Sequence, residues 1–296
     1  MKAHRVSIGL FLLTLCFWMP SPSQTAEAPP DSTSVIYSIV LKDGSDIIGT
    51  VTRETLDTLV VRTPSGVVMS IARVQVKKME RLSGAVVQGE YLRRDPNRTR
   101  LLFAPTARPL KAGQGYVAFY EIFFSYFAVG IADFLSVGGG MTLFPGASDQ
   151  LFYVSPKLAV PLANEVVTLG IGAMYTNLFT SNFDGAGIIY GIGTAGSDRA
   201  AVTVGVGYGF HGGDIAEKPI LVLGGEAQLS NSAKLLTENW FPIGSETSLL
   251  SFGLRFFGDH LAADIGFIYP LHEGKGISSG LPLIPWIGFA YNFGGG

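Results

Sequence analysis

The last strand-length stretch of the chain, Trp286-Ile287-Gly288-Phe289-Ala290-Tyr291-Asn292-Phe293, is closed by three glycines. Ile287, Phe289, Tyr291 and Phe293 alternate with Gly288, Ala290 and Asn292. A period of two belongs to a β-strand, so bulky apolar groups line one face and small or polar groups the other. A soluble protein would turn the aromatic face toward a core. Here the same pattern recurs with no helix or second sheet to cover the apolar faces. A closed sheet with its apolar side outward is the strand solution to living in lipid, because closure leaves no unpaired edge.

The recurrences are specific. Val202, Val204, Val206, Tyr208 and Phe210 alternate with Ala201, Thr203, Gly205, Gly207 and Gly209. Val167, Leu169, Ile171 and Tyr175 alternate with Thr168, Gly170, Gly172 and Thr176. Arg255 and Asp264 fall on the small-residue face of their segments. An arginine on the lipid face near midplane costs about 2–4 kcal/mol. That placement orients the sheet with its small and charged face inward.

Strands are expected near 115–130, 134–144, 151–161, 165–177, 183–194, 199–210, 218–229, 233–241, 247–257, 260–269 and 284–293. Short connections such as 131–133, 230–232 and 258–259 alternate with longer ones, of which 271–283 is the longest. Single-chain bacterial barrels have even strand numbers, with short turns on the periplasmic side. Leu101–Ala107 is the one candidate for a further strand, with 108–114 as its loop. Pro105 counts against it, since proline removes a ladder hydrogen bond. Twelve strands is the expectation and ten the alternative.

The first hundred residues are different material, holding six of the 38 glycines and two of the 20 phenylalanines. Residues 1–26 have the form of a secretory signal: Lys2 and Arg5, an apolar run from Val6 to Met19, then Ser23-Gln24-Thr25-Ala26. The single cysteine, Cys16, lies in that run and leaves with it, so the mature chain carries no thiol chemistry. Pro29-Pro30 and Ser32-Thr33-Ser34 read as a flexible lead-in. Five short strands follow at 35–41, 46–52, 58–63, 67–71 and 74–82, with Asp43-Gly44 and Ser65-Gly66 as turns. A small five-stranded β-barrel over residues 31–82 is therefore expected, followed by a basic linker at 83–100 and a transmembrane barrel at 101–296. Val40-Leu41-Lys42-Asp43-Gly44-Ser45 with Ile48-Gly49-Thr50-Val51 resembles the opening of Sm-like and SH3-like barrels.

Between Arg73 and Arg100 eight lysines and arginines face three acids. Contact with anionic lipid or cell-wall polymer is one reading of that excess, at roughly 1 kcal/mol per basic residue at such a surface. A solvated strand edge and linker is the plainer one. Net charge is −2, which gives no pull toward nucleic acid.

Taken together, the signal segment, the amphipathic strands and the aromatic final strand resemble the outer-membrane β-barrel proteins of Gram-negative bacteria. The resemblance implies an outer-membrane location with the N-terminal domain periplasmic. It also implies membrane lipid as surroundings, and recognition of Trp286, Phe289, Tyr291 and Phe293 by the barrel-assembly machinery. Residues 31–100 would be the part that meets a periplasmic protein or the cell wall. No nucleic-acid partner is implied.

Chemistry is sparse. His211, His260 and His272 sit at expected strand ends or loops. Outer-membrane lipid hydrolases need a histidine that activates a serine, and only His272 has serines nearby, Ser278 and Ser279, with Glu273 beside it. His211 and Asp214 could form a two-ligand loop site, but solvated side chains are the simpler reading. Gly138-Gly139-Gly140 and Gly185-x-Gly187 lack the strand–loop–helix context of a phosphate loop and read as strand glycines. No catalytic residue, metal or cofactor is assigned. Glu121, Lys157, Glu226, Arg255 and Asp264 are the lumen candidates, either a polar track for solutes or a mutually paired filling. A twelve-strand barrel lies between filled and open barrels, and its glycine-rich inner face favours a water-filled or ligand-holding interior. The expected role is that of a non-enzymatic, structural or passive pore-like barrel. A lipid-modifying enzyme and a partner-binding barrel are the alternatives.

Overall fold

Glycine turns and short β-branched runs at the N-terminal end produce β1 (Ile36–Leu41), β2 (Asp46–Glu54), β3 (Thr58–Arg62), β4 (Val68–Ala72) and β5 (Val76–Leu82). The computed structural model describes residues 35–162, 166–180, 183–272 and 283–294. The expected signal segment and the lead-in lie outside them. The five strands form an antiparallel sheet in the order β4-β3-β2-β1-β5. Gly44 and Gly66 take the positive φ that their turns demand. Ile39, Leu59, Val61 and Ile71 are its buried centre. A small five-stranded β-barrel was expected here; the structure has a five-stranded sheet with β4 and β5 at its ends. A hairpin of β6 (Gly84–Val87) and β7 (Glu90–Arg93) follows.

From Gly115 the period-two pattern becomes twelve antiparallel strands closed on themselves. In chain order they are β8 (Gly115–Tyr120), β9 (Phe124–Ala132), β10 (Leu135–Thr142), β11 (Leu151–Leu162), β12 (Val167–Leu178), β13 (Ala186–Gly196) and β14 (Ala200–His211). After a two-residue β15 (Asp214–Ile215) come β16 (Ile220–Ser230), β17 (Ala233–Pro242), β18 (Thr247–Phe257), β19 (Leu261–His272) and β20 (Ile284–Phe293). Each strand pairs with its neighbour, and β20 returns to β8 with Gly115 opposite Phe293 and Phe119 opposite Phe289. No edge is left among these twelve.

The side chains divide as the alternation demands. Ile171, Val204 and Phe289 point outward, 61%, 56% and 55% exposed. Their neighbours Thr168, Thr203 and Asn292 are buried inside, together with Lys157, Glu226, Lys234, Glu238, Arg255 and Asp264. Bulky apolar groups thus clothe the cylinder while ions are enclosed.

Two expectations for the strand list fail, and their errors cancel in the count. Residues 115–130 are two strands, broken by a tight turn in which Glu121 and Ile122 both take positive φ (47° and 66°). Neither is glycine, asparagine or aspartate, so no turn signal marks the place. Leu101–Ala107, expected as the first strand, joins no sheet of the barrel. It lies inside.

Candidate functional site in the barrel lumen

The segment between β7 and β8 enters the cylinder, folds back within it and leaves at the end from which it came. Its base is fastened to the short connections. Arg93 Nε donates to Asp259 at 3.0 Å, and Arg94 Nε and Arg98 Nη1 each donate to Asp198 at 2.9 Å. Burial works to raise the Asp198 carboxyl, but the Arg98 and Arg94 charges outweigh it, leaving the group below the ordinary carboxylate range. Further in, the Thr106 amide donates to Thr99 O (2.9 Å) and the Leu101 amide to Ala104 O (2.8 Å), closing a small loop tipped by Leu102 and Phe103.

Barrel side chains satisfy the backbone of that loop, as buried peptide groups require. Glu238 on β17 accepts from the amides of Phe103 and Ala104, both at 2.9 Å, and from Trp240 Nε1 at 2.8 Å. Lys157 on β11 donates to the carbonyls of Thr106 (3.0 Å) and Arg108 (2.9 Å). Thr194 Oγ1 on β13 accepts from the Ala107 amide at 2.9 Å. Asn97 donates through Nδ2 to Asn292 Oδ1 on β20 at 3.0 Å. Four separate strands hold one loop.

Charges knit the same parts together. Arg255 on β18 donates from Nη1 to Asp95 (3.0 Å) and to the carbonyl of Asn97 (2.9 Å). It donates from Nη2 to the Leu101 carbonyl and from Nε to Asp264 (2.7 Å). Arg100 reaches the same Asp264 at 2.5 Å and lies over the Tyr120 ring, 5.0 Å from its centroid. Lys234 sits 3.3 Å from both Asp95 and Glu226, and Glu226 also accepts from Arg108. All of these side chains are almost wholly buried. Ionised groups in such surroundings persist only when paired and hydrogen-bonded.

Of the lumen candidates, Lys157, Glu226, Arg255 and Asp264 all lie in this assembly. Glu121 does not. It occupies the β8–β9 turn, where its amide donates to Ile287 O (2.9 Å) and its carboxylate accepts from the Ile287 amide (2.8 Å). Within the final strand, Phe289 and Tyr291 face outward, whereas Trp286 turns inward and stacks on Tyr120 with centroids 5.8 Å apart. Asp95, Asn97, Arg100, Arg108, Lys234 and Glu238 escaped the sequence reading. Strand parity held the signal for two of them, since Lys234 stands directly opposite Arg255 and Glu238 lies four residues on, on the same face. The arginines at 93, 94, 98 and 100 all pair with carboxylates of the barrel; Arg100 is enclosed, while Arg93 and Arg94 stay partly open to solvent.

Glycine makes room for rings. A Cβ at Gly138 would stand 2.1 Å from the Tyr126 hydroxyl, and one at Gly172 2.5 Å from that of Tyr190. Space left by the glycines is therefore partly filled by tyrosines crossing from the next strand. What remains is a cavity of about 100 Å³ between the loop and the wall, and a second of about 310 Å³ beyond Phe103.

The histidines are dispersed. His260 Nδ1 meets Asn292 O (3.2 Å), His272 Nδ1 meets Thr247 Oγ1 (2.7 Å), and the His211 ring packs on Phe183. His211 pairs with Asp214 in the β14–β15 ladder. Glu273, Ser278 and Ser279 lie outside the described residues. Among those described, no group of three or more His, Cys, Asp or Glu could hold a metal ion.

No family model matches the sequence, and no curated protein matches it. Among solved structures the chain is similar to the KdgM porin in complex with disordered oligogalacturonate, at 10% identity and a TM-score of 0.46, covering 61% of this chain and 98% of that one. It is similar to the NanC porin at 9% identity and a TM-score of 0.39, over 60% and 97%. The outer membrane channel DcaP of Acinetobacter baumannii is similar at 7% identity and a TM-score of 0.31, over 88% and 94%. Likenesses this distant say nothing about function; the geometry of the barrel does.

Proposed function

We propose that this chain is a non-enzymatic outer-membrane β-barrel, a structural or passive pore-like component whose lumen is occupied by its own segment 94–110. One observation carries the reading: a seamless strand cylinder exposes leucine, valine and phenylalanine while enclosing its ions. Water on both sides of such a wall would leave the outer surface unstable, whereas hydrocarbon suits it. The short connections 133–134, 197–199, 231–232 and 258–260 share one end with Gly115 and Phe293, which favours that end as periplasmic.

On this reading the β1–β5 sheet and the β6–β7 hairpin belong to the periplasm, as an interaction or spacer module that meets a periplasmic protein or the cell wall. Resemblance of its opening residues to Sm-like and SH3-like barrels supports a role in contacts between macromolecules. Phe289, Tyr291 and Phe293, with the inward Trp286 ahead of them, would be the strand that the assembly machinery receives. Among the described residues His260 meets a carbonyl, His272 a threonine hydroxyl and His211 a phenylalanine ring.

Single-channel recording of the refolded full chain beside a variant lacking 95–110 tests the pore-like part. Larger current steps from the shortened chain support it. A shortened chain that inserts and carries no current overturns it and leaves a purely structural element.

A further inference from the structure

The smaller lumen cavity is lined by two charged side chains, Arg100 and Lys157, and by no aspartate or glutamate among the described residues. Arg100 is 2% exposed, and although its Nη1 is fully used, its Nε and Nη2 have no hydrogen-bond partner. Thr99 Oγ1, also on the cavity wall, is buried and unpartnered. Lys157 gives two donors to carbonyls of the loop and has no carboxylate within ion-pair distance among the described residues. Buried donors left over after internal pairing are costly, and a desolvated cation beside them costs more. A negatively charged acceptor would satisfy both at once, through charge-assisted hydrogen bonds.

Next to this cavity lies the larger one, which shares Phe103, Tyr120, Tyr126 and Met174 with it and adds Phe124 and Trp286. Its wall is mostly ring faces, with Tyr120 stacked on Trp286 and Phe103 edge-on to both; its one carboxylate among the described residues, Glu121, accepts from the Ile287 amide. A cationic pocket that shares walls with a cage of rings suits a molecule with an anionic head and a flat apolar body.

We propose that the lumen binds a small aromatic carboxylate, its head held by Arg100, Thr99 and Lys157 and its ring among Phe103, Tyr120 and Trp286. The site is formed jointly by the inner segment and the wall, so occupancy also locks the segment in place. Nothing in this requires the barrel to conduct. A silent barrel that binds leaves the inference standing, and a conducting one that does not bind removes it.

The test uses the refolded full chain in detergent, with benzoate as probe and benzamide as its uncharged counterpart. Benzoate should raise the melting temperature in step with its concentration and benzamide should not, because ligand binding to the folded state alone shifts the midpoint. Lys157→Gln should weaken the benzoate effect roughly tenfold or more, the loss expected of one charge-assisted hydrogen bond. Should that variant fail to fold, Thr99→Val serves instead: its hydroxyl has no internal partner to lose, and benzoate affinity should still drop several-fold. Equal responses to benzoate and benzamide, no response to either, or an undiminished benzoate effect in the variant that folds would overturn the site.

Discussion

Arg255 and Asp264 stand directly opposite each other across β18 and β19, with Nε 2.7 Å from Oδ1, and both side chains are out of contact with solvent. Around this pair the inner segment is arranged, because the remaining donors of Arg255 go to Asp95, Asn97 and Leu101. A cross-strand ion pair of the wall thus doubles as the seat for a loop that belongs to no strand.

Removing one member of that pair unbalances the buried network: without Asp264, Arg100 loses its carboxylate, and without Arg255, Asp264 and Asp95 are left to Arg100 and Lys234. Asp264→Asn or Arg255→Met should each destabilise the barrel by about 3–5 kcal/mol. Replacing both by apolar residues should cost less than the sum, because neither then leaves the other short of a partner, although Arg100 still loses Asp264 and Asp95 keeps only Lys234. Thermal or denaturant unfolding of the three variants checks this; additive losses would mean the two residues act separately.

Glu238 receives both amides of the loop tip and the indole of Trp240. Glu238→Leu should loosen the tip without opening the barrel wall, since none of those three bonds belongs to the strand ladder. Hydrogen exchange should rise at Phe103 and Ala104 and stay low along β17. Unchanged exchange at the tip would show that Glu238 does not hold it.

At the base of the segment, Asp198 sits below the ordinary carboxylate value of 3.8 because of Arg98 and Arg94. A carboxyl lowered in the folded state adds stability above its unfolded value and loses it as pH falls through the lowered one. The clamp is partly exposed, so its contribution is about 1 kcal/mol or less. Wild type and Asp198→Asn should differ in melting temperature at neutral pH and converge once acid has protonated the carboxyl. A gap that persists into strong acid would contradict this.

Strand glycines should differ sharply in their tolerance of alanine. A Cβ at Gly140 would fall 1.9 Å from the Ser125 carbonyl oxygen, backbone that cannot swing aside, whereas one at Gly191 meets nothing within 4 Å. Gly140→Ala should reduce folded yield strongly, while Gly191→Ala should be neutral or add about 0.4–1 kcal/mol through the unfolded chain. Equal yields from both would remove close backbone approach as the reason for glycine at 140.

Much of the cylinder could be read in advance because alternation is local: Val204 beside Thr203, or Phe289 beside Gly288, shows which faces differ without knowing what lies across from them. Charge then gave the direction, since Arg255 and Asp264 cannot face hydrocarbon cheaply. The inner loop was hidden for the opposite reason. Leu101, Leu102 and Ala104 are apolar because the lumen wall covers them, and a short apolar run looks the same whether it is a strand or a buried loop. Its true neighbours, Glu238, Lys157 and Thr194, are between 50 and 140 residues away in the chain, beyond any local pattern. The break at Glu121–Ile122 was equally silent, as neither residue announces a turn.

Everything rests on Val204 and its like facing hydrocarbon while Thr203 faces the interior. Nitroxide labels on single cysteines at the two positions, in the full chain reconstituted in lipid bilayers, test that most directly through collisions with oxygen and with a water-soluble nickel chelate. The account predicts high oxygen and negligible chelate exposure at 204, with low exposure to both at 203. Free access of the chelate to the label at 204 would contradict a membrane-facing wall.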